Sequence, residues 1–268
     1  MSFVKSKAEI LNKRRESLAL LDAEVLTLVW KTRPEIIQRL LPPTLSPAKE
    51  PIVTASIARY PQTNFGIRYH EAGLFIRCSY NGEEGHHCLS MPVDNDIAMA
   101  SGREIFGFPR KMARIQFRKD KDHLFGSIER HGREFVQLEA DLYQTPNNTA
   151  DMMRHLSSTA ATPDEIIGLT FNIKNFPSIT GEGFDYPPKL VRHETLIKVK
   201  TLGIGRGSIK LMLTDHDPWA ELEVIEMLGA FYTRGNNYML KGQEVAAINP
   251  EEFSPYSYRQ WDSELIPY

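Results

Sequence analysis

From residue 52 to residue 143 the chain repeats one pattern, short stretches of alternating apolar and polar side chains separated by Gly, Asn, Asp and Pro. Period-two alternation places successive side chains on opposite faces of an extended strand. The spacing therefore predicts strands over 52–60, 66–69, 73–80, 85–93, 113–118, 123–130 and 133–143. Further strands are expected over 23–30, 167–174, 188–200 and 206–213. Helical spacing is rarer. It predicts a helix over 7–20, rich in Lys, Glu, Arg and Leu, and a short amphipathic helix over 33–41 with Pro34 at its start and Pro42-Pro43 as its stop. Ile97, Met99, Ala100 and Ile105 predict a third helix over 95–106, and Leu222, Ile225, Met227 and Leu228 another over 221–233. The long connection over 144–165 is expected to hold a helix near 149–156.

So many short strands suit a closed sheet, because closure removes exposed edges and leaves an interior able to hold one small ligand. The expected class is α+β and β-rich, a closed antiparallel barrel-like sheet with flanking helices. A chain of 268 residues can bury a large core in one unit. The reading is a single domain over 1–268, with 1–20 as a helical extension and 251–268 as a tail.

Composition removes several rivals. Lys and Arg total 32 against 34 Asp and Glu, a formal charge of −2, which offers no general attraction to nucleic acid or to an anionic membrane. No apolar run approaches the roughly 20 residues of a membrane span, and the first residues lack the apolar core of a signal peptide, so a cytoplasmic location is expected. Cys78 and Cys88 lie in apolar strand-like stretches and are expected as buried thiols. His86-His87-Cys88 is not expected to bind metal, since neighbours on a strand diverge. His216, in Asp215-His-Asp-Pro218, reads as part of a loop turn, and Gly203-Ile-Gly-Arg-Gly207 as a turn between strands. No metal or cofactor is expected.

The candidate chemistry lies in Ser101-Gly-Arg-Glu-Ile-Phe-Gly-Phe-Pro-Arg-Lys-Met-Ala113. A lysine condenses with a ketone only when neutral, and its ordinary pKa is about 10.4, so burial and a nearby cation must lower it. Lys111 follows Arg110, whose guanidinium keeps its charge and could supply that cation. Adjacent residues on an extended segment point to opposite sides, so both reach one pocket only if the chain turns, and Pro109 favours an irregular segment.

The run resembles the signature of the acetoacetate decarboxylase family: Gly-Arg-Glu, a few apolar or aromatic residues, then Pro-Lys-Lys. Tyr69-His-Glu-Ala-Gly73, Tyr80-Asn-Gly82, Met91-Pro-Val-Asp-Asn-Asp96, Leu40-Leu-Pro-Pro-Thr-Leu45 and Phe171-Asn-Ile-Lys-Asn-Phe-Pro177 extend the likeness over roughly residues 20–250. The resemblance implies the family's β-barrel, a lysine Schiff base acting on an oxo acid, no cofactor, and a homo-oligomer. It implies a site role for Glu71. It also marks departures: Arg110 stands where the family has its Schiff-base lysine, Ser56 where it has a second pocket glutamate, and Ala23 on or near its N-terminal arginine.

The expected catalytic residues are Lys111 as imine-forming nucleophile, Arg110 beside it and Glu71 for proton transfer, with Phe106, Phe108, Met91, Ile105 and Ser56 around the substrate. The expected activity is that of an acetoacetate decarboxylase-like lyase on a β-keto or related oxo acid, by decarboxylation or by an aldol or dehydration type of reaction. The alternative is a degenerate member that holds a small anionic or apolar ligand in the same pocket, or works by non-covalent acid and base chemistry through Glu71 and Arg110.

Overall fold

The computed structural model describes residues 3–13, 17–162 and 164–262. Beyond a few two- and three-residue pairings, its strands are β1 (Leu18–Lys31), β2 (Ile52–Tyr60), β3 (Tyr69–Tyr80), β4 (Glu83–Val93) and β5 (Arg110–Met112), followed by β6 (Arg114–Asp120), β7 (His123–Arg130) and β8 (Arg133–Asp141). The second half contributes β9 (Glu165–Lys174), β10 (Lys189–Leu211) and β11 (Glu226–Met239). The helices that matter here are α1 (Lys7–Lys13), α2 (Pro34–Leu40), α3 (Asp96–Ser101) and α4 (Thr149–Thr159).

Seven strands close on themselves in the order β9–β4–β3–β2–β1–β11–β10 and back to β9. Every joint is antiparallel except β4–β9, a parallel contact at Thr170 and His86. The expected β-rich barrel with flanking helices is therefore the observed fold. From β10 the sheet continues through β8 and β7 to β6, forming a side sheet. It packs on the outer barrel wall, where a Cβ at Gly126 would come within 2.6 Å of Ile57 Cδ1. Leu26, Leu28, Ile57, Ile128, Phe135 and Leu138 are all essentially inaccessible and share the main core. A second core of Leu20, Tyr60, Tyr69, Met91, Phe108 and Met239 surrounds the barrel interior. No helix of the described residues is long and apolar enough to cross a membrane.

Several sequence expectations are corrected. The helix expected over 221–233 is a short 3-10 turn, Trp219–Glu221, followed by β11, in which Leu228, Ala230 and Tyr232 are buried at strand spacing. Gly203 to Gly207 is no turn but the middle of β10, which runs unbroken for 23 residues. Small residues are needed there because a Cβ on Gly205 would stand 2.2 Å from the carbonyl oxygen of Asp141. The N-terminal helix ends at Lys13 and Leu18–Leu20 already belong to β1; residues 14–16 lie outside the described set. The two strands expected over 66–69 and 73–80 are the one strand β3, which begins only at Tyr69. Cys78 and Cys88 are buried free thiols, as expected.

Candidate active site

The signature segment is built by three local devices. Asn95 caps α3, its side-chain oxygen accepting from the Ala98 amide at 3.0 Å, the usual way of satisfying an open helix N-terminus. α3 then widens into a π-helical turn over Gly102–Phe106. Gly107 ends it in the left-handed region, φ 73°, with its amide directed to the Arg103 and Gly102 carbonyls, a conformation that glycine adopts without a Cβ penalty. The chain then straightens through Phe108 and Pro109 into β5, which lies parallel to β4 with Met91 opposite Arg110 and Pro92 opposite Lys111.

Because β5 is extended, its first two side chains diverge, and the two expected catalytic residues part company. Arg110 turns into the barrel and is 3% exposed. One of its terminal nitrogens donates to Glu71 Oε2 at 2.5 Å, another to the Ala98 carbonyl, and Nε to Met91 Sδ at 3.2 Å. Its guanidinium carbon lies 5.7 Å from the centre of the Phe108 ring. Gly102 makes room for it, since a Cβ there would fall 2.3 Å from Arg110 Cδ. Tyr60 and Tyr69, paired across β2 and β3 with rings 4.9 Å apart, flank the same carboxylate, and Tyr60 donates to Glu71 Oε1 at 3.5 Å.

Burial pushes the Glu71 carboxyl up while the Arg110 charge holds it down. Burial also works against the charge of Arg110, but Glu71, Tyr69 and Tyr60 outweigh it and the guanidinium pKa is raised. Burial drives both phenols well above their ordinary range, and the Glu71 charge adds to this. The group is thus a desolvated cation and carboxyl between two neutral phenols.

Arg110, Glu71 and Tyr60 face a cavity of about 230 Å³ inside the barrel, lined also by Ser56, Met91, Phe108, His86 and His155, with Tyr69 behind the carboxylate. No lysine of the described residues lines it. Of the expected site residues, Glu71, Arg110, Ser56, Met91 and Phe108 come together here. Phe106 stands one layer back, its ring 4.9 Å from that of His193 and 6.4 Å from that of Phe108. Ile105 is 57% exposed, because the π-helical turn rotates it outward.

Lys111 is not in this pocket. It lies on the other face of β5, against a separate cavity of about 260 Å³. Nζ donates to the His216 carbonyl at 2.5 Å and sits 3.1 Å from Asp217 and 3.4 Å from Asp262. Arg130 closes the group, 2.6 Å from Asp217 and 3.0 Å from Asp262. The segment at Pro109 does not turn so as to bring neighbours 110 and 111 to one side. Lys111 stands in an ion-pair cluster with Asp217, Asp262 and Arg130, on the far side of β5 from Arg110.

Sequence reading missed Tyr60, Tyr69, His86 and His155 as site residues. Tyr69 had a readable signal, since it lies two residues before Glu71 and so on the same strand face. Tyr60 and His155 come from other elements, and only tertiary pairing brings them in. His86 and His87 diverge as expected: His86 faces the barrel, while His87 donates from Nδ1 to the Phe171 carbonyl at 2.7 Å and accepts at Nε2 from Arg259.

Comparison with known proteins gives the same lineage. The model of the family described as acetoacetate decarboxylase matches residues 5–248. An acetoacetate decarboxylase of Streptomyces nogalater is 31% identical over 214 residues, covering 78% of this chain and 81% of the relative. One from Burkholderia vietnamiensis is 30% identical over 212 residues, covering 78% and 80%. Among solved structures, the acetoacetate decarboxylase of Legionella pneumophila superposes with a TM-score of 0.76 at 23% identity over 92% of this chain and 98% of that one. An acetoacetate decarboxylase-like enzyme from Sphingomonas wittichii gives 0.70 at 17% identity, over 88% and 95%. The enduracididine biosynthesis enzyme MppR, solved with pyruvate, gives 0.68 at 16% identity, over 86% and 90%. With a family match over most of the sequence and the same barrel around the Arg110 segment, this chain belongs to the acetoacetate decarboxylase family.

Proposed function

We propose that this chain is a lyase of oxo acids that works in the barrel pocket without an imine, with Arg110 in place of the amine as electron sink and Glu71 as the proton carrier. The single observation that carries this reading is the facing of residues 110 and 111. The inward position is a guanidinium, which cannot form a Schiff base, and the neighbouring amine is on the opposite face, held by Asp217 and Asp262.

A β-keto acid loses carbon dioxide when its carbon–carbon bond breaks and the electron pair moves onto the ketone oxygen. The resulting enolate then takes a proton at carbon. A fixed cation in a dry, apolar site stabilises the developing oxyanion without reorganising. Arg110 has five N–H groups, and the one on Met91 Sδ meets a weak acceptor that a ketone oxygen replaces readily. Glu71, paired with Arg110 and in contact with the Tyr60 hydroxyl, would take a proton from solvent and pass it to the carbon. The same groups would serve an aldol or dehydration step, which also passes through an enolate.

A second reading, a pocket that binds an oxo acid without turning it over, is favoured by one observation: the two terminal nitrogens of Arg110 already have partners within the protein.

The test is incubation with acetoacetate, and separately pyruvate, followed by borohydride reduction and peptide mapping, alongside a turnover assay. Turnover with no adduct on any lysine is the expected result. A reduced adduct on Lys111 would overturn the imine-free reading, and saturable binding without turnover would establish the second.

A further inference from the structure

Near the mouth of the Lys111 cavity three segments remote in sequence converge. His131 is the first residue of the β7–β8 turn, His216 lies in the loop after β10, and Asp262 is the last described residue of the C-terminal segment. The imidazole rings of His131 and His216 are 4.6 Å apart at 47°. His131 Nε2 stands 2.9 Å from Asp262 Oδ2. One ligating atom from each of the three lies within 4.8 Å of the others. The sequence offers His216 no partner at metal-binding spacing; the fold offers it two.

The geometry points to a site for one divalent transition-metal ion of the zinc class on His131, His216 and Asp262. Two imidazoles with one carboxylate are a donor set that selects zinc, nickel or cobalt over magnesium and calcium. Ligands sharing one tetrahedral zinc stand about 3.4 Å apart, so a small rotation of the half-exposed His131 ring closes the set. The ion would take the place of the shared proton between His131 and Asp262. Asp215 lines the adjoining cavity of about 180 Å³ together with His131 and His216. Arg130 and Lys111 already flank Asp262, and this competing positive charge sets the affinity below that of a closed structural zinc centre. Such an ion would tie the C-terminal segment to the β7–β8 turn and the 216 loop, fixing the wall that covers Lys111.

The test uses the full chain without an affinity tag, stripped with a chelator and titrated with zinc by calorimetry and with cobalt by visible absorption. One equivalent is expected to bind, cobalt should show d–d bands, and zinc should raise the melting temperature. His131→Asn keeps a residue that tolerates the left-handed turn, φ 51°, and His216→Gln keeps a polar side chain; each should weaken binding tenfold or more, on the order of the loss expected for a metal-site change. His123→Gln, an exposed histidine at the other end of the β7–β8 hairpin, should change nothing. Wild type that binds no metal, or a His131→Asn/His216→Gln double variant that keeps the fold and binds as wild type does, would overturn the site.

Discussion

At the scale of single residues, the proposed chemistry turns on the inward facing of residue 110. Arg110→Lys returns an amine to the inward position, and a borohydride-stable adduct with acetoacetate or pyruvate is expected on residue 110 where wild type gives none. Glu71 faces that position, and an opposite charge favours the protonated amine. Trapping should therefore rise with pH, and adding Glu71→Gln should shift the profile to lower pH; peptide mapping across pH 6 to 10 reads both. Glu71→Ala in the wild-type background leaves a buried guanidinium without its counter-charge and should cost about 3–5 kcal/mol in denaturant unfolding. The signature, and Glu71 within its Tyr-x-Glu-x-Gly element, were legible in the sequence because their residue types and spacing are distinctive. The facing of Lys111 was open, because Pro109 permits a turn as well as a straight run, and the parallel pairing of β5 with β4 decides it.

At the scale of elements, the site depends on the passage from α3 through the π-helical turn to β5. Gly102 packs under the Arg110 side chain, so Gly102→Ala should push the guanidinium off Glu71 and lower stability by about 1–3 kcal/mol, the usual range for overpacking. Thermal melts together with the loss of ligand binding would show it. Most strands were readable because alternation is a direct imprint of a half-buried sheet. The misread stretch over 221–233 shows the limit of such patterns: Leu222, Ile225 and Leu228 satisfy helical spacing, while Leu228, Ala230 and Tyr232 equally satisfy strand spacing. Pairing of β11 with both β1 and β10 settles the conflict. The glycines of β10 misled for a different reason, since the need for small residues came from the close approach of Leu142 at Gly203 and of Asp141 at Gly205, and not from a turn.

At the scale of the whole molecule, buried histidines set the response to acid. Burial lowers His87 to about 3, with the Arg259 charge adding to it, and lowers His155 to about 3 and His193 to about 4. The unfolded chain titrates them near 6.5, so between pH 6.5 and 4 the unfolded state binds more protons and stability falls as pH falls. A loss on the order of several kcal/mol by pH 4 is expected, and denaturant melts at stepped pH would measure it. His87→Gln should flatten part of that slope.

The 23-residue strand β10 carries its own consequence at this scale. Its N-terminal part closes the barrel against β9 and β11, and its C-terminal part carries the side sheet through β8. The two sheets thus share one length of backbone, residues 195–205 pairing with β11 and residues 206–211 with β8, so that the end of one ladder is the start of the other. Hydrogen exchange should find the slowest amides of both sheets opening together, in one cooperative event, with the same dependence on denaturant.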